Sequence, residues 1–161
     1  MTEFQSKHPR RHAIVDDDEE FRLFVRRVAE PLGWRISEFP NGSGLMAAIG
    51  GSLPPDLIIL DMVMPELDGI ETIGGIGATS VRCPIVLITG RLPLYTTVAR
   101  ELGQANGIEI VDVLQKPVSL ARLRAILTQE SGKTAHLAPA PNRRLRWSQK
   151  TGQAVKVYST G

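Results

Sequence analysis

Leu57-Ile58-Ile59-Leu60-Asp61 sets four apolar residues directly before a carboxylate. The run is too short for a buried helix and shows no alternation, so it reads as a strand buried on both faces. The same construction recurs on either side of it. Ala13-Ile14-Val15 runs into Asp16-Asp17, and Ile85-Val86-Leu87-Ile88 runs into Thr89. Val111-Asp112-Val113-Leu114 is followed, after Gln115, by Lys116-Pro117. Open parallel sheets bind ligands outside the carboxyl ends of their strands. The pattern therefore gathers three carboxylates, a hydroxyl and an amine at one rim of one sheet, a donor set suited to a divalent cation and a phosphoryl group.

Helical patterns separate these runs. Phe21, Phe24, Val25, Val28, Ala29 and Leu32 recur at helical spacing, with Arg22, Arg26, Arg27 and Glu30 on the other face, until Pro31 and Gly33 close the helix. Asp18, Glu19 and Glu20 suit the positive start of that helix. Arg35 to Phe39 alternates like a strand. Asn41-Gly42-Ser43-Gly44 reads as a capped turn before a short helix over Leu45, Ala48 and Ile49. Pro65 to Thr79 is expected to form a short or irregular helix. Its Gly74, Gly75 and Gly77 each cost roughly 1 kcal/mol relative to Ala. Leu94, Val98, Leu102 and Ala105 suggest a fourth helix, and Ser119 can cap a fifth over Leu120, Leu123, Ile126 and Leu127. Regular alternation of strand and helix implies an α/β fold: a (βα)5 three-layer sandwich around a five-stranded parallel sheet.

The 161 residues divide into an N-terminal extension (1–10), a domain (11–130) and a basic C-terminal segment (131–161). The last carries six basic residues and no acidic one. The remaining 13 of 19 basic residues face 17 acidic ones, a formal −4 that the overall +2 conceals. Ala135 to Pro141 reads as a linker. Beyond it, Leu145 and Trp147 alternate with polar residues, as do Val155 and Val157. A hairpin and a disordered tail are equally compatible with that pattern. No apolar stretch approaches the ~20 residues of a membrane span. The polar first residues lack the core of a signal peptide, and the single Cys83 reads as a structural thiol; a cytoplasmic location is expected. His8, His12 and His136 lack metal-ligand spacing and are expected at the surface, with His12 a candidate edge residue of the first strand.

From about Arg11 to Gln129 the chain resembles the receiver domain of bacterial two-component response regulators. The resemblance rests on Val15-Asp16-Asp17, Leu60-Asp61, Met64-Pro65-Glu66-Leu67-Asp68-Gly69, Thr89-Gly90 and Lys116-Pro117, in that order and each near a strand end. It implies a flavodoxin-like fold and a phosphoacceptor, Asp61, that assists its own phosphorylation and dephosphorylation and is not otherwise an enzyme. It also implies Mg2+ held by Asp16, Asp17, Asp61 and the backbone carbonyl of Val63. Thr89 and Lys116 are implied as the groups that bind the phosphoryl oxygens, and the Lys116-Pro117 bond is often cis in the family. Implied partners are a histidine kinase or phosphotransfer protein and an output protein, with homodimerisation an open alternative.

Elementary chemistry agrees with this reading. A carboxylate can accept a phosphoryl group, the transfer needs cations around the phosphate oxygens, and Mg2+ prefers oxygen ligands. The position that usually holds an aromatic, three residues before the lysine, is Val113 here, so a conformational switch would run through Val113 itself or through another group such as Tyr95. Residues after Gln129 are too few for a helix-turn-helix, so no DNA-binding domain is expected and signalling would use protein contacts. Two rivals stand beside this. One is an adaptor with a receiver fold that works without phosphorylation. The other is a phosphatase with an Asp nucleophile, which needs a second carboxylate where Val63 stands.

Overall fold

A computed structural model describes residues 9–50, 54–90, 93–133, 145–147 and 154–156; at 93–95 and in the last two segments it describes the backbone alone. Five strands, β1 (Arg11–Val15), β2 (Arg35–Phe39), β3 (Leu57–Asp61), β4 (Ile85–Thr89) and β5 (Ile110–Gln115), form one sheet in the order β2-β1-β3-β4-β5. Every pairing in it is parallel. The connections are α1 (Glu19–Ala29), α2 (Gly42–Ile49), α3 (Gly69–Gly77) and α4 (Pro93–Ala105), and α5 (Leu120–Gly132) closes the domain. This is the flavodoxin-like (βα)5 sandwich that the alternation of strand and helix predicts.

The sheet buries both faces. Ile14, Ile59, Val86 and Leu114 pack with Val25, Val28, Leu123 and Leu127 of α1 and α5. Ala13, Ile58, Leu60 and Leu87 pack with Leu45, Ile73, Ile76 and Ala99 of α2, α3 and α4. Every residue of β3 and β4 is buried, which is why those runs do not alternate. Each fully buried Ile or Leu is worth about 1.5–3 kcal/mol, so this core carries much of the stability that holds the rim in place.

Caps begin the helices where the sequence suggests them. Asp18 accepts hydrogen bonds from the Glu20 and Phe21 N–H groups, Asn41 from Gly44, and Ser119 from Arg122. Asp68 makes a reciprocal capping box with Glu71 and so starts α3. That helix begins four residues later than the Pro65 start expected. Its poor propensity is offset by close packing: Gly75 lies against Met46, and Gly77 lies directly against the Asn106 side chain. β5 carries a register shift. Ile85 pairs with Ile110 but Val86 pairs with Asp112, so Val111 is the extra residue.

One expectation is overturned. His12 is neither exposed nor at an edge, because β1 lies between β2 and β3, and the side chain is 0% exposed. Its ring lies 5.8 Å from that of Trp34, and neither ring nitrogen has a hydrogen-bond partner among the described residues. Burial holds its pKa down at about 3, so the imidazole is neutral. His8 and His136 lie outside the described residues. Cys83 is buried, and desolvation raises its thiol pKa, as suits a packing residue.

Strands β6 (Leu145–Trp147) and β7 (Ala154–Lys156) pair antiparallel as a separate two-stranded sheet. The side chains of Trp147 and Val155, and all of Val157 and Tyr158, lie outside the described residues. Among those described, no helix is long and apolar enough to cross a membrane.

Candidate functional site

β1 and β3 are neighbours in the sheet, although α1, β2 and α2 separate them in sequence. Chain order reverses between them, and the crevice of such a sheet opens there. Asp16 follows the last residue of β1 and Asp61 is the last residue of β3, so both carboxyls project at this point. One carboxylate oxygen from each of Asp16, Asp17 and Asp61 lies within 4.8 Å of the others, with Asp16 and Asp61 buried and Asp17 exposed.

Asp16 is fixed at every polar atom of its main and side chain. Its N–H donates to Phe39 O at 3.1 Å, and its carbonyl accepts from Arg22 Nη1 at 2.7 Å. Its Oδ1 accepts from the Asp18 N–H at 2.9 Å, and its Oδ2 from Lys116 Nζ at 2.8 Å. Asp61 Oδ2 faces the same ammonium at 3.3 Å, and Asp61 Oδ1 accepts from the Val63 N–H at 3.3 Å. Lys116 reaches this point because its own N–H donates to Thr89 O at 2.9 Å, which ties the end of β5 to the end of β4. The Lys116–Pro117 peptide bond is cis.

The electrostatics follow from crowding two carboxyls into a buried rim. Asp16 is raised above the ordinary carboxylate range by desolvation, although the bond from Lys116 opposes that. Asp61 is raised by desolvation first and by the charge on Asp16 second. The lysine is raised, its two carboxylate partners outweighing its partial burial. A cluster with more negative charge than its one ammonium neutralises fits a divalent cation. Thr89 supplies a second sign of fit. Its side-chain Oγ1 is buried and without a hydrogen-bond partner among the described residues, an expensive state that a phosphoryl oxygen would relieve.

The structure thus brings together Asp16, Asp17, Asp61, Thr89 and Lys116. Val63 stands on the same rim with its side chain 57% exposed. Val113 is half-buried on the α4 side of the sheet, packed against the cluster that holds Leu87 and Ala99. The Tyr95 side chain lies outside the described residues. Two contributors were not legible as such. Arg22 and Phe21 read from sequence only as opposite faces of a helix. Asp18, two residues past Asp16, starts that helix at the rim, so its first turn was the place to look.

The chain belongs to the response regulator receiver domain family of two-component systems, whose model matches residues 13–128. It is 32% identical over 136 residues to the response regulator MprA of Mycobacterium sp. (strain KMS), covering 82% of this chain and 56% of that protein. It is 30% identical over 120 residues to the transcriptional regulatory protein CpxR of Escherichia coli (strain K12), covering 71% of this chain and 47% of that one. The chain therefore spans about half the length of these curated relatives. Among solved structures, a response regulator from Colwellia psychrerythraea superposes with a TM-score of 0.68 at 27% identity, covering 79% of this chain and all of that one. The chemotaxis protein CheY4 of Vibrio cholerae, at 22% identity and a TM-score of 0.64 over 76% of this chain and 98% of that one, shares the fold.

Proposed function

We propose that this receiver accepts a phosphoryl group on Asp61 from a histidine kinase or phosphotransfer protein in the cytoplasm, in a Mg2+-dependent reaction, and signals by altered protein–protein contacts. The observation that carries the proposal is the Lys116 ammonium bonded to both Asp16 Oδ2 and Asp61 Oδ2, together with a Thr89 hydroxyl that has no partner among the described residues. Asp16, Asp17, Asp61 and the Val63 carbonyl would hold the Mg2+, whose charge offsets that of the phosphate oxygens. An Asp61 carboxylate oxygen forms the new P–O bond while the donor's P–N bond breaks. Lys116 and the Thr89 hydroxyl then bind phosphoryl oxygens. The chain assists its own phosphorylation and dephosphorylation and turns over no separate substrate.

Acetyl phosphate with Mg2+ tests this directly. One phosphoryl mass should be added to the protein, and none to Asp61→Asn. Modification that persists in Asp61→Asn would reject Asp61 as the acceptor. A protein that stays unmodified and whose melting temperature ignores Mg2+ would be an adaptor with a receiver fold.

A further inference from the structure

Lys116 Nζ has a third neighbour. It stands 4.8 Å from the centroid of the Phe21 ring, over the ring face. An ammonium at that distance is attracted to the negative face of the ring. The ring is itself held in place. Asp18 accepts from the Phe21 N–H at 3.3 Å, and the Asp18 N–H donates to Asp16 Oδ1 at 2.9 Å. Phe24 packs against it at a ring separation of 5.9 Å. One helix cap therefore sets Phe21 and Asp16 in register with each other, and the ammonium contacts both.

We propose that Phe21 is a positioning residue for Lys116, a ring face that keeps the ammonium at the rim when its carboxylate partners are drawn elsewhere. This rests on the phosphoacceptor reading for its consequence, though not for its geometry. In that reading both oxygens that now hold Lys116 change partners: Asp16 turns to the cation, and Asp61 becomes an acyl phosphate. The attraction of the ring is unaffected by either event. It keeps the ammonium within reach of the incoming phosphoryl oxygens instead of letting it swing into solvent, where its side chain is already 29% exposed.

Two measurements test this. In the free protein, the Lys116 ε-methylene protons should show an upfield ring-current shift by NMR. That shift should vanish in Phe21→Leu, which keeps an apolar side chain in the first turn of α1, and persist in Phe21→Tyr. With acetyl phosphate and Mg2+, Phe21→Leu should be phosphorylated about two- to fivefold more slowly, the scale of an exposed cation–π contact, and Phe21→Tyr should recover the rate. Ordinary Lys116 ε shifts in the wild type overturn the proposal. So does a Phe21→Leu protein phosphorylated at the wild-type rate, an outcome that leaves the phosphoacceptor reading standing. If the wild type accepts no phosphoryl group, that reading fails, and the wild-type ε shift alone decides whether the ring holds the ammonium.

Discussion

Asp16 and Lys116 lie 100 residues apart in sequence and 2.8 Å apart at Oδ2 and Nζ. This ion pair spans the sheet from the end of β1 to the end of β5, across the ends of β3 and β4. Its partners are unequal, since the Asp16 side chain is fully buried and that of Lys116 is 29% exposed. A buried carboxylate depends on its cation more than an exposed cation depends on its carboxylate.

Removing the lysine should therefore expose the repulsion it masks. Lys116→Met leaves Asp16 and Asp61 unpaired and should destabilise the fold by about 1–2 kcal/mol without divalent cation, less than a fully buried pair because Lys116 is partly solvated. Added Mg2+ should recover much of the loss, so the melting temperature of the variant should respond more to Mg2+ than that of the wild type. An equal response in the two proteins would show that the ammonium does not offset the carboxylate charge.

The raised carboxyls carry a sign that can be checked. A group whose pKa is higher in the fold than in the unfolded chain stabilises the fold below its unfolded value, and that contribution is lost as pH rises through the folded value. Asp16 and Asp61 are both raised, so at neutral pH without cation they weigh against folding. Asp61→Asn should therefore be more stable than wild type at pH 7 without divalent cation. The gap should close on acidification towards pH 4 and on addition of Mg2+, because a cation that binds only the fold stabilises it. Urea titrations across that range measure it, and a variant that is less stable throughout would reverse the assignment.

Gly69 is held by backbone, not by turn geometry. A Cβ there would lie 2.7 Å from Met62 Cα and 2.8 Å from Asp61 O, atoms of the segment that carries the Asp61 carboxyl. Gly69→Ala should force the Asp61–Gly69 loop to move, costing roughly 1–3 kcal/mol. It should also weaken Mg2+ binding, because the same movement displaces Asp61. Isothermal titration and denaturant unfolding together separate the two effects; unchanged Mg2+ affinity would show that the loop yields elsewhere.

What the chain declares and what it hides divide along physical lines. The strand ends were legible because a doubly buried parallel strand needs an unbroken apolar run, so the polar residue that stops the run marks the rim: Asp16, Asp61 and Thr89 were found in this way. Caps such as Asp18 and Asn41 were legible because their chemistry is local. Strand order is not local. Sequence alone does not place β1 between β2 and β3, and that placement turned His12 from an expected surface group into a buried one. The Lys116–Phe21 contact was hidden for the same reason, since a helical stripe shows which face is apolar but not which charge from a distant strand will settle over it. The two strands of the C-terminal segment pair as alternation allows, yet alternation could not distinguish them from a solvated tail.

His12 gives the last test. Its pKa of about 3 lies below the ordinary 6.5, so between those values the unfolded chain binds a proton that the fold excludes. Stability should fall as pH drops through 6.5, at about 1.4 kcal/mol per pH unit for this one group, and level off near 3. The trend opposes that of Asp16 and Asp61, so it must be isolated by substitution. His12→Val suits a buried strand position beside Trp34 and removes two ring nitrogens that have no partner among the described residues. The variant should match or exceed wild-type stability at pH 7, and its advantage should widen steadily between pH 6.5 and 4. Parallel acid limbs in the two proteins would mean that His12 gains a proton in the fold as readily as in the unfolded chain, and that the β1 interior admits water or a partner for it.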